Sequence, residues 1–423
     1  MELKINTPKQ FVSEILLFLL LGLALLRTIF MLSSVLYLSS FLFLMLLILN
    51  YRELKERVMR RGGEVFIWLY GGWALLSTVW SQWQAITFQR SCYLLLLLMG
   101  LYAASINKGT KKGEHFFMGL FVLNALAAAM QYWSLAAGIP GNRWSGGNGL
   151  GFMGVFPHQN TAAMILLFTL PGSLFYLTDL YYQKTGGLKL QYIKAIMGLI
   201  VFLGSIVLIF LSSSRSVILS LFVLLISYGI LSIGYRKILK WSGAGLMLGA
   251  IMYLLIPSLP KEITFIIYKN SASATETRLP MYIESYKAAK NGGITGLGFG
   301  VSDPSLQPLI GHYEGGHFIR EKGNSALAMI EELGLVGIAF YLIFYFRSYI
   351  NLLKRFTEKN KRREEKETMK LSVAFLLAAL VHAQFEGWWV GITSFAFITL
   401  MYLLFLTNNS GIKGTGLGAD SRE

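Results

Sequence analysis

Long apolar segments recur along almost the whole chain, and they restrict its possible folds more than any other feature. Most are about 16 to 23 residues long, close to the length that a helix needs to cross a bilayer. They lie at 11–30, 31–49, 65–83, 92–106, 116–137, 161–181, 195–212, 217–233, 241–256, 325–346, 371–385 and 390–407. The sequence therefore predicts an all-α integral membrane protein with about twelve transmembrane helices.

The composition agrees with this prediction and excludes some kinds of site. Charged residues make up 14% of the chain, whereas soluble domains carry roughly 25%. Cys92 is the single cysteine, so neither an internal disulfide nor a cysteine-based metal site can form. The chain has three aspartates, Asp179, Asp303 and Asp420, and none forms an Asp-x-Asp metal motif. We expect no cofactor.

Lys and Arg residues are concentrated in every second loop, and this distribution predicts the topology. Such residues in short loops stay on the cytoplasmic side of a membrane, and the largest basic group lies at 347–370. Both termini are therefore expected in the cytoplasm, and His115 is expected to be solvated in a basic cytoplasmic loop. The net charge of +16 reflects this topology, so we expect no nucleic-acid partner.

The domain organisation follows from these segments. We predict one membrane domain over residues 1–407, a long external loop within it at 257–324, and a disordered cytoplasmic tail at 408–423. In that loop, TETRLPMYIESYKAAKNG has apolar residues at helical spacing, which indicates an amphipathic helix near the membrane surface. The glycines of the following ITGLGFGVSDP favour tight turns, because no strand precedes them as a dinucleotide-binding loop requires.

Three polar clusters fall on the predicted outer side. In FLSSSRSVILS, Arg215 follows three serines between two helices, where a charge normally faces the bundle interior or a cavity. Alternatively, Arg215 snorkels to the interface or binds the carbonyls at a helix end. In NRWSGGNGLGFMGVFPHQNTAAM, the residues suited to a sugar are Arg143, His158 and Asn160, although Asn160 or Thr161 can instead cap the next helix.

The third cluster is GHYEGGHFIREKGNSALAMIEELG, which ends the external loop. Its polar residues are His312, His317, Arg320, Glu321, Lys322 and Asn324. Glu331 and Glu332 follow at the start of the next helix, where one is expected to pair with an arginine or to cap the preceding loop. His382, Gln384 and Glu386 come at the outer end of a later helix, and for them a helix-end structural role is favoured over contact with a cavity.

An ordered set of motifs resembles the O-antigen ligase and polymerase superfamily. These motifs are VWSQWQAITFQR, GVFPHQNTAA, SSSRSVILS, Arg278, GLGFGV and GNSALAMIEELGLVG, and they extend over roughly residues 63–406. The resemblance implies about twelve transmembrane helices, a long external loop that caps a cavity, and metal-free transfer of a glycan from a polyprenyl diphosphate. The acceptor would be a lipid, a glycan or a protein, and the site would face outward from a bacterial inner membrane.

The residues suit this chemistry, with one departure from the family pattern. Arg215 and Arg278 can bind the leaving diphosphate, since a guanidinium pairs with phosphate oxygens through two hydrogen bonds and keeps its charge. The family has a histidine directly before Asn-Ser, to act as a base, but Gly323 stands there in this chain. Glu321 is the preferred replacement, ahead of His317 and His312. Residues expected to bind substrate are Arg143, His158, Asn160, His312, Arg320 and Asn324.

Two other kinds of protein are compatible with the sequence. A transporter or flippase for lipid-linked sugars would also have about twelve helices, but it should carry charged groups near the middle of several spans. Spans such as AIMGLIVFLGSIVLIFLSS are nearly featureless. A non-catalytic subunit of a polysaccharide export system would not need two arginines at the outer face.

Overall fold

The computed structural model describes residues 8–30, 34–58, 64–106, 111–138, 151–182, 188–237, 279–306, 311–314, 317–358 and 361–409. Arg143, Arg278 and the predicted span 241–256 lie outside the described residues. So do the side chains of His312 and His317, whose backbone alone is described.

The described residues are almost entirely helical. Numbered in chain order, the helices are α1 (Pro8–Phe30), α2 (Ser34–Leu49), α3 (Tyr51–Val58), α4 (Val65–Leu76), α5 (Gln84–Ile106), α6 (Lys112–Ala137), α7 (Gln159–Tyr182), α8 (Leu188–Leu211), α9 (Arg215–Ile233), α10 (Leu279–Gly292), α11 (Ser325–Phe356), α12 (Arg363–His382) and α13 (Phe395–Asn409). A short 3₁₀ turn at Ser77–Val79 follows α4. The 408–409 part of the predicted disordered tail is therefore the end of α13.

Helix length and composition confirm a multi-pass membrane protein of the all-α class. Within the described residues, 7 helices are long and apolar enough to cross a membrane, and shorter apolar helices lie at Tyr37–Leu49, Val65–Val79 and Phe395–Asn409. Every predicted span except 241–256 coincides with a described helix. The main helix contacts pair α6 with α7, α9 with α12, and α10 with α11.

The described part of the predicted external loop contains a β-hairpin that we did not predict. Strand β1 (Gly311–Glu314) pairs antiparallel with β2 (His317–Arg320), and Glu314 lies opposite His317. The sequence does carry the signal, since Gly-Gly separates two short runs, HYE and HFIR, which is typical of a two-residue hairpin connection. The hairpin leads directly to the start of α11.

The structure also overturns the prediction for His115. This residue lies in the first turn of α6, and its Nδ1 is 2.8 Å from Glu14 Oε2 in α1. Its side chain is only 15% exposed, so the prediction of a solvated loop histidine was wrong. The basic residues around it made the segment resemble a loop, but the helix begins at Lys112, three residues before His115.

A neutral polar cluster lies inside the membrane part of the fold. Asn124, in the middle of α6, donates to Ser173 Oγ at 2.7 Å. Its Oδ1 accepts from Thr169 Oγ1 at 3.0 Å and from Ser205 Oγ at 3.1 Å. These bonds join α6, α7 and α8, which is the usual role of buried amides and hydroxyls between membrane helices.

Replacing Asn124 by Leu should weaken this packing without affecting the outer face. Bonds of this kind between membrane helices contribute about 0.6 to 1.7 kcal/mol, so we expect a modest fall in the free energy of unfolding. Unfolding in mixed micelles with increasing denaturing detergent would measure it. Equal unfolding curves for the variant and the unmodified protein would contradict a role in stability.

Candidate functional site

Arg215 lies where the sequence predicted, between two helices. The turn from α8 to α9 contains Ser212, Ser213 and Ser214, and the left-handed backbone of Ser213 (φ 53°) makes it tight. The Ser214 amide donates to Ser212 Oγ at 3.2 Å. Arg215 begins α9 and is half-buried. Arg215 is therefore the first residue of a helix, at the end where the helix dipole favours an anion.

The loop before α7 packs against this turn. The Phe152 amide donates to Leu211 O at 2.9 Å. Gly151 comes so close to Ser212 that an added Cβ would be 2.0 Å from the Ser212 carbonyl oxygen. The amide of Gln131, in α6, holds the other side of the loop by donating to Met153 O at 3.2 Å. The second polar cluster is thereby fixed beside the first.

The side chain that caps the start of α7 is that of His158. The predicted capping residues, Asn160 and Thr161, do not have this role. His158 Nδ1 accepts a hydrogen bond from the Asn160 amide at 3.1 Å, while its side chain remains exposed. The side chain of Asn160 points elsewhere, because its Nδ2 donates to Glu386 Oε1 at 2.9 Å. The loop of the second cluster therefore contacts the turn after α12.

That same turn contacts the start of α11. Asn324 caps this helix by accepting from the Leu327 amide at 2.9 Å, and its Nδ2 donates to Gln384 O at 3.0 Å. Ser325 Oγ donates to Glu386 O at 2.5 Å. Tyr282 of α10 donates to Gln384 O as well. We call residues 383–387 the outer turn, since they join α7, α10 and α11.

The sequence analysis did not predict the contacts that Glu386 makes in this region. The Glu386 backbone binds the start of α11 and its half-buried carboxylate binds Asn160. The sequence showed polar residues at a helix end, but the pattern along one helix does not indicate which distant loops they contact. The sequence interpretation therefore favoured a helix-end role for His382, Gln384 and Glu386 over contact with a cavity.

Arg320 and Lys322 turn inward and form ion pairs. Arg320 Nη2 lies 2.8 Å from Glu331 Oε2, and Lys322 Nζ lies 2.5 Å from Glu332 Oε1. Lys322 is also 3.3 Å from Glu331. All four residues are at most 7% exposed, and we call them the buried ion cluster. The predicted pairing of one glutamate with an arginine is confirmed, and this geometry favours a structural role for Arg320 over the predicted substrate contact.

The two glutamates of this cluster also organise the glycine-rich loop after α10. Gly300 N donates to Glu332 Oε2 at 2.7 Å, and Asp303 N donates to Glu331 Oε1 at 2.9 Å. Gly298 N donates to the backbone oxygen of Glu332 at 3.0 Å. Positive φ angles at Gly298 (122°) and Gly300 (79°) permit this close approach. The prediction that these glycines form turns is confirmed.

Asp303 closes the same loop. Its carboxylate accepts from Asn291 Nδ2 at 2.6 Å and from the Ser305 amide at 2.8 Å. Burial raises the pKa of the Asp303 carboxyl, but the hydrogen bonds from Ser305 and Asn291 outweigh it and hold the pKa below its usual value. The stability that this carboxylate contributes is therefore present at neutral pH and is lost as the pH falls through the lowered pKa.

Helix α11 is interrupted at Gly334, directly after the buried ion cluster. Gly334 has φ 68° and ψ −173°, a conformation that is essentially restricted to glycine. The interruption changes the hydrogen bonding on both sides, because Leu335 N donates to Gly293 O at 3.1 Å and Leu333 O accepts from Trp73 Nε1 at 2.9 Å. The Glu-Glu-Leu-Gly motif thus places two buried carboxylates immediately before a break in the helix.

Replacing Gly334 by Ala should destabilise the protein strongly. An added Cβ would lie 2.1 Å from Ile294 O, and the backbone strain alone costs about 1 to 3 kcal/mol. We expect a lower melting temperature in detergent. Gly72→Ala, in α4, is the matched control, because no atom lies within 4 Å of its added Cβ. A Gly334 variant as stable as this control would contradict the assigned backbone constraint.

The remaining predicted residues are placed as follows. Glu321 is exposed, and its two neighbours in sequence turn inward. Asn324 is buried. Its Nδ2 donates a hydrogen bond to Gln384 O, and its Oδ1 accepts one from the Leu327 amide. Among the described side chains, no group of three or more His, Cys, Asp and Glu residues is arranged to hold a metal ion.

Comparison with known proteins gives one family match. Residues 199–342 match the family model described as O-antigen ligase. The matched region contains Arg215, the glycine-rich loop and the buried ion cluster, whereas Asn160 and Glu386 lie outside it. No curated protein matches the chain.

Proposed function

This membrane protein carries an O-antigen ligase domain over residues 199–342, and from that premise we propose that it transfers a glycan from a polyprenyl diphosphate to an acceptor hydroxyl. The domain is of a glycosyltransferase type, and its family implies lipid-linked glycan substrates. The proposed acceptor is a lipid, a growing glycan or a protein. The proposed location is a bacterial inner membrane, with both termini in the cytoplasm and the reaction at the outer face.

The observation that carries this proposal is the meeting of three polar regions at one end of the helices. The turn before Arg215 contacts the loop at 151–156 through Phe152. That loop leads to Asn160, which contacts the outer turn through Glu386. The outer turn holds the start of α11. Polar segments from distant parts of the chain are therefore linked to one another by these contacts.

The charges of this region suit a diphosphate leaving group. Arg215 lies at the N-terminus of α9, where both its guanidinium and the helix dipole attract an anion. Arg278 directly precedes α10 in the sequence, and α10 contacts the outer turn through Tyr282. We propose that both arginines stabilise the negative charge that develops on the diphosphate oxygen during transfer.

The proposed reaction needs a base and no metal ion. The base removes the proton of the acceptor hydroxyl, and the acceptor oxygen attacks the anomeric carbon of the donor sugar. The bond from that carbon to the diphosphate oxygen breaks, and its electron pair leaves with polyprenyl diphosphate. The sequence offers Glu321 or His317 as the base, and Arg143, His158, Asn160 and His312 as sugar contacts.

Mass analysis of reaction products tests this function. Purified protein would be incubated with a polyprenyl-diphosphate-linked oligosaccharide, with and without candidate acceptors. Repeat units added to a product that retains the diphosphate lipid would indicate a polymerase, and glycan moved to another lipid or a protein would indicate a ligase. If folded protein forms no glycosidic bond with any donor and acceptor tested, a transporter becomes the better interpretation.

A further inference from the structure

We propose that Glu386 is the general base of the glycan transfer, an inference that rests on the function proposed above. The family pattern has a histidine where this chain has Gly323, so another group must accept the proton of the acceptor hydroxyl. Glu386 lies in the outer turn and outside the matched domain. Its position relative to three neighbouring elements supports the assignment.

A side chain at position 323 would contact helix α10. A Cβ added to Gly323 would lie 3.3 Å from Cβ of Met281, in the first turn of α10. This separation is tighter than a usual contact between side chains. Helix α10 therefore occupies the space beside the position at which the family has its histidine.

The outer turn lies against the same short stretch of chain. A Cβ added to Gly387 would lie 2.6 Å from Lys322 O, so the two backbones are in direct contact there. On the other side of Gly323, the Ser325 amide donates to Ala383 O at 2.8 Å and Ser325 Oγ donates to Glu386 O at 2.5 Å. Glu386 is therefore held beside the position of the missing histidine by contacts on both sides of that position.

The carboxylate of Glu386 is oriented toward the first turn of α7. Asn160 Nδ2 donates to Glu386 Oε1 at 2.9 Å, and the exposed side chain of His158 lies two residues before Asn160. A positioned amide of this kind fixes the geometry of a carboxylate and leaves its charge intact. Glu386 is half-buried, so it is partly sheltered from bulk water and still accessible to solvent.

Glu321 lacks such positioning among the contacts that the structure describes. It is exposed, and it follows directly on strand β2. Its neighbours Arg320 and Lys322 belong to the buried ion cluster, where their side chains are paired with Glu331 and Glu332. A base must be held within hydrogen-bond reach of the proton that it removes. The geometry therefore favours Glu386 over Glu321.

In the proposed step, the Glu386 carboxylate accepts the proton of the acceptor hydroxyl. The acceptor oxygen forms a bond to the anomeric carbon of the donor sugar, and the bond from this carbon to the diphosphate oxygen breaks. Polyprenyl diphosphate leaves with the electron pair. Glu386 then releases its proton to water, which restores the carboxylate for the next transfer.

The test replaces Glu386 by Gln and measures the transfer rate against pH. The Gln side chain can still accept from Asn160, and the backbone bond with Ser325 is unchanged, so the fold should be retained. We expect kcat to fall by about 10² to 10⁴, the usual contribution of a general base. We also expect the acid limb of the pH profile to disappear, which a purely structural role would not cause. Formate should partly restore transfer by Glu386→Ala.

Two matched variants make the result decisive. Glu358→Gln, in the exposed region after α11 on the predicted cytoplasmic side, should leave the rate unchanged. Glu321→Gln should reduce the rate by much less than Glu386→Gln. A Glu386→Gln rate within about threefold of the unmodified protein, or loss of the acid limb in Glu321→Gln instead, would overturn the assignment while the proposed function stands. An unmodified protein without transfer activity would overturn the proposed function itself.

If Glu386→Gln does not fold, Glu386→Asp keeps a carboxylate at the same position. This variant should retain the acid limb of the pH profile at a reduced rate, because the shorter side chain moves the carboxylate away from the hydroxyl. Full activity of Glu386→Asp together with no effect of formate on Glu386→Ala would argue against a proton-accepting role. The melting temperature and donor binding of each variant would be measured in parallel.

Discussion

Replacing Arg215 by Lys should reduce kcat/KM for glycan transfer by about 10² to 10³, the effect of removing one positioned donor to a developing anion. Lys keeps the positive charge but not the planar pair of donors that matches two phosphate oxygens. The charge alone is therefore not expected to suffice. Initial rates with a polyprenyl-diphosphate-linked donor would measure the loss, and the melting temperature would show that the protein remains folded.

The same helix provides the control for this experiment. Arg236 follows the opposite end of α9 and lies over the exposed ring of Tyr235. Arg236→Lys makes the same chemical change on the predicted cytoplasmic side and should leave the transfer rate unchanged. Arg215→Lys with activity close to that of the Arg236 variant would favour the alternative role of Arg215, in which it only binds the carbonyls of a helix end or snorkels.

Replacing Glu331 by Ala should cause the largest loss of stability that we predict. Glu331 pairs with Arg320 at 2.8 Å and Lys322 at 3.3 Å, and it accepts a hydrogen bond from the Asp303 amide. Removing one partner of a buried ion pair costs about 3 to 5 kcal/mol, because it leaves the other charge buried without compensation. We expect a much lower melting temperature in detergent and a lower yield of folded protein.

An exposed pair serves as the control for the buried one. Arg362 and Glu365 lie 3.1 Å apart, with their side chains 44% and 28% exposed, and such pairs contribute about 0 to 1 kcal/mol. Glu365→Ala should therefore change the melting temperature little. Replacing Arg320 by Met together with Glu331 by Leu should recover part of the stability that Glu331→Ala loses. Equal melting temperatures for Glu331→Ala and Glu365→Ala would contradict the importance assigned to the buried ion cluster.

Features that depend on local sequence could be predicted well. Apolar segments indicated the spans because a membrane helix must be apolar over its whole length, and the structure has a helix at each described span. Arg215 was placed between two helices, and the glycines after α10 favoured tight turns. One of Glu331 and Glu332 was expected to pair with an arginine or to cap the preceding loop, and Glu331 pairs with Arg320.

Features that depend on contacts between distant segments were mostly missed. Asn160 and Glu386 are 226 positions apart in the chain, and no periodicity within either segment indicates that they meet. The inward turn of Arg320 was missed for the same reason, because a run of charged residues resembles a solvated loop when its buried partners are unknown. His158 was considered as a sugar contact, and its capping of α7 depends on backbone geometry that composition does not show.

The break in α11 also bears on how the protein enters the membrane during synthesis. Moving a charged side chain into the centre of a bilayer costs about 2.5 to 3.5 kcal/mol on insertion scales. The segment after Gly334, which ends at Phe356, is about 33 Å long at 1.5 Å per residue and can cross the bilayer by itself. If the preceding loop is external, as the sequence predicts, Glu331 and Glu332 are translocated with it and need not cross the bilayer centre within a continuous hydrophobic helix. Insertion of this helix then does not depend on the earlier folding of Arg320 and Lys322 onto their partners.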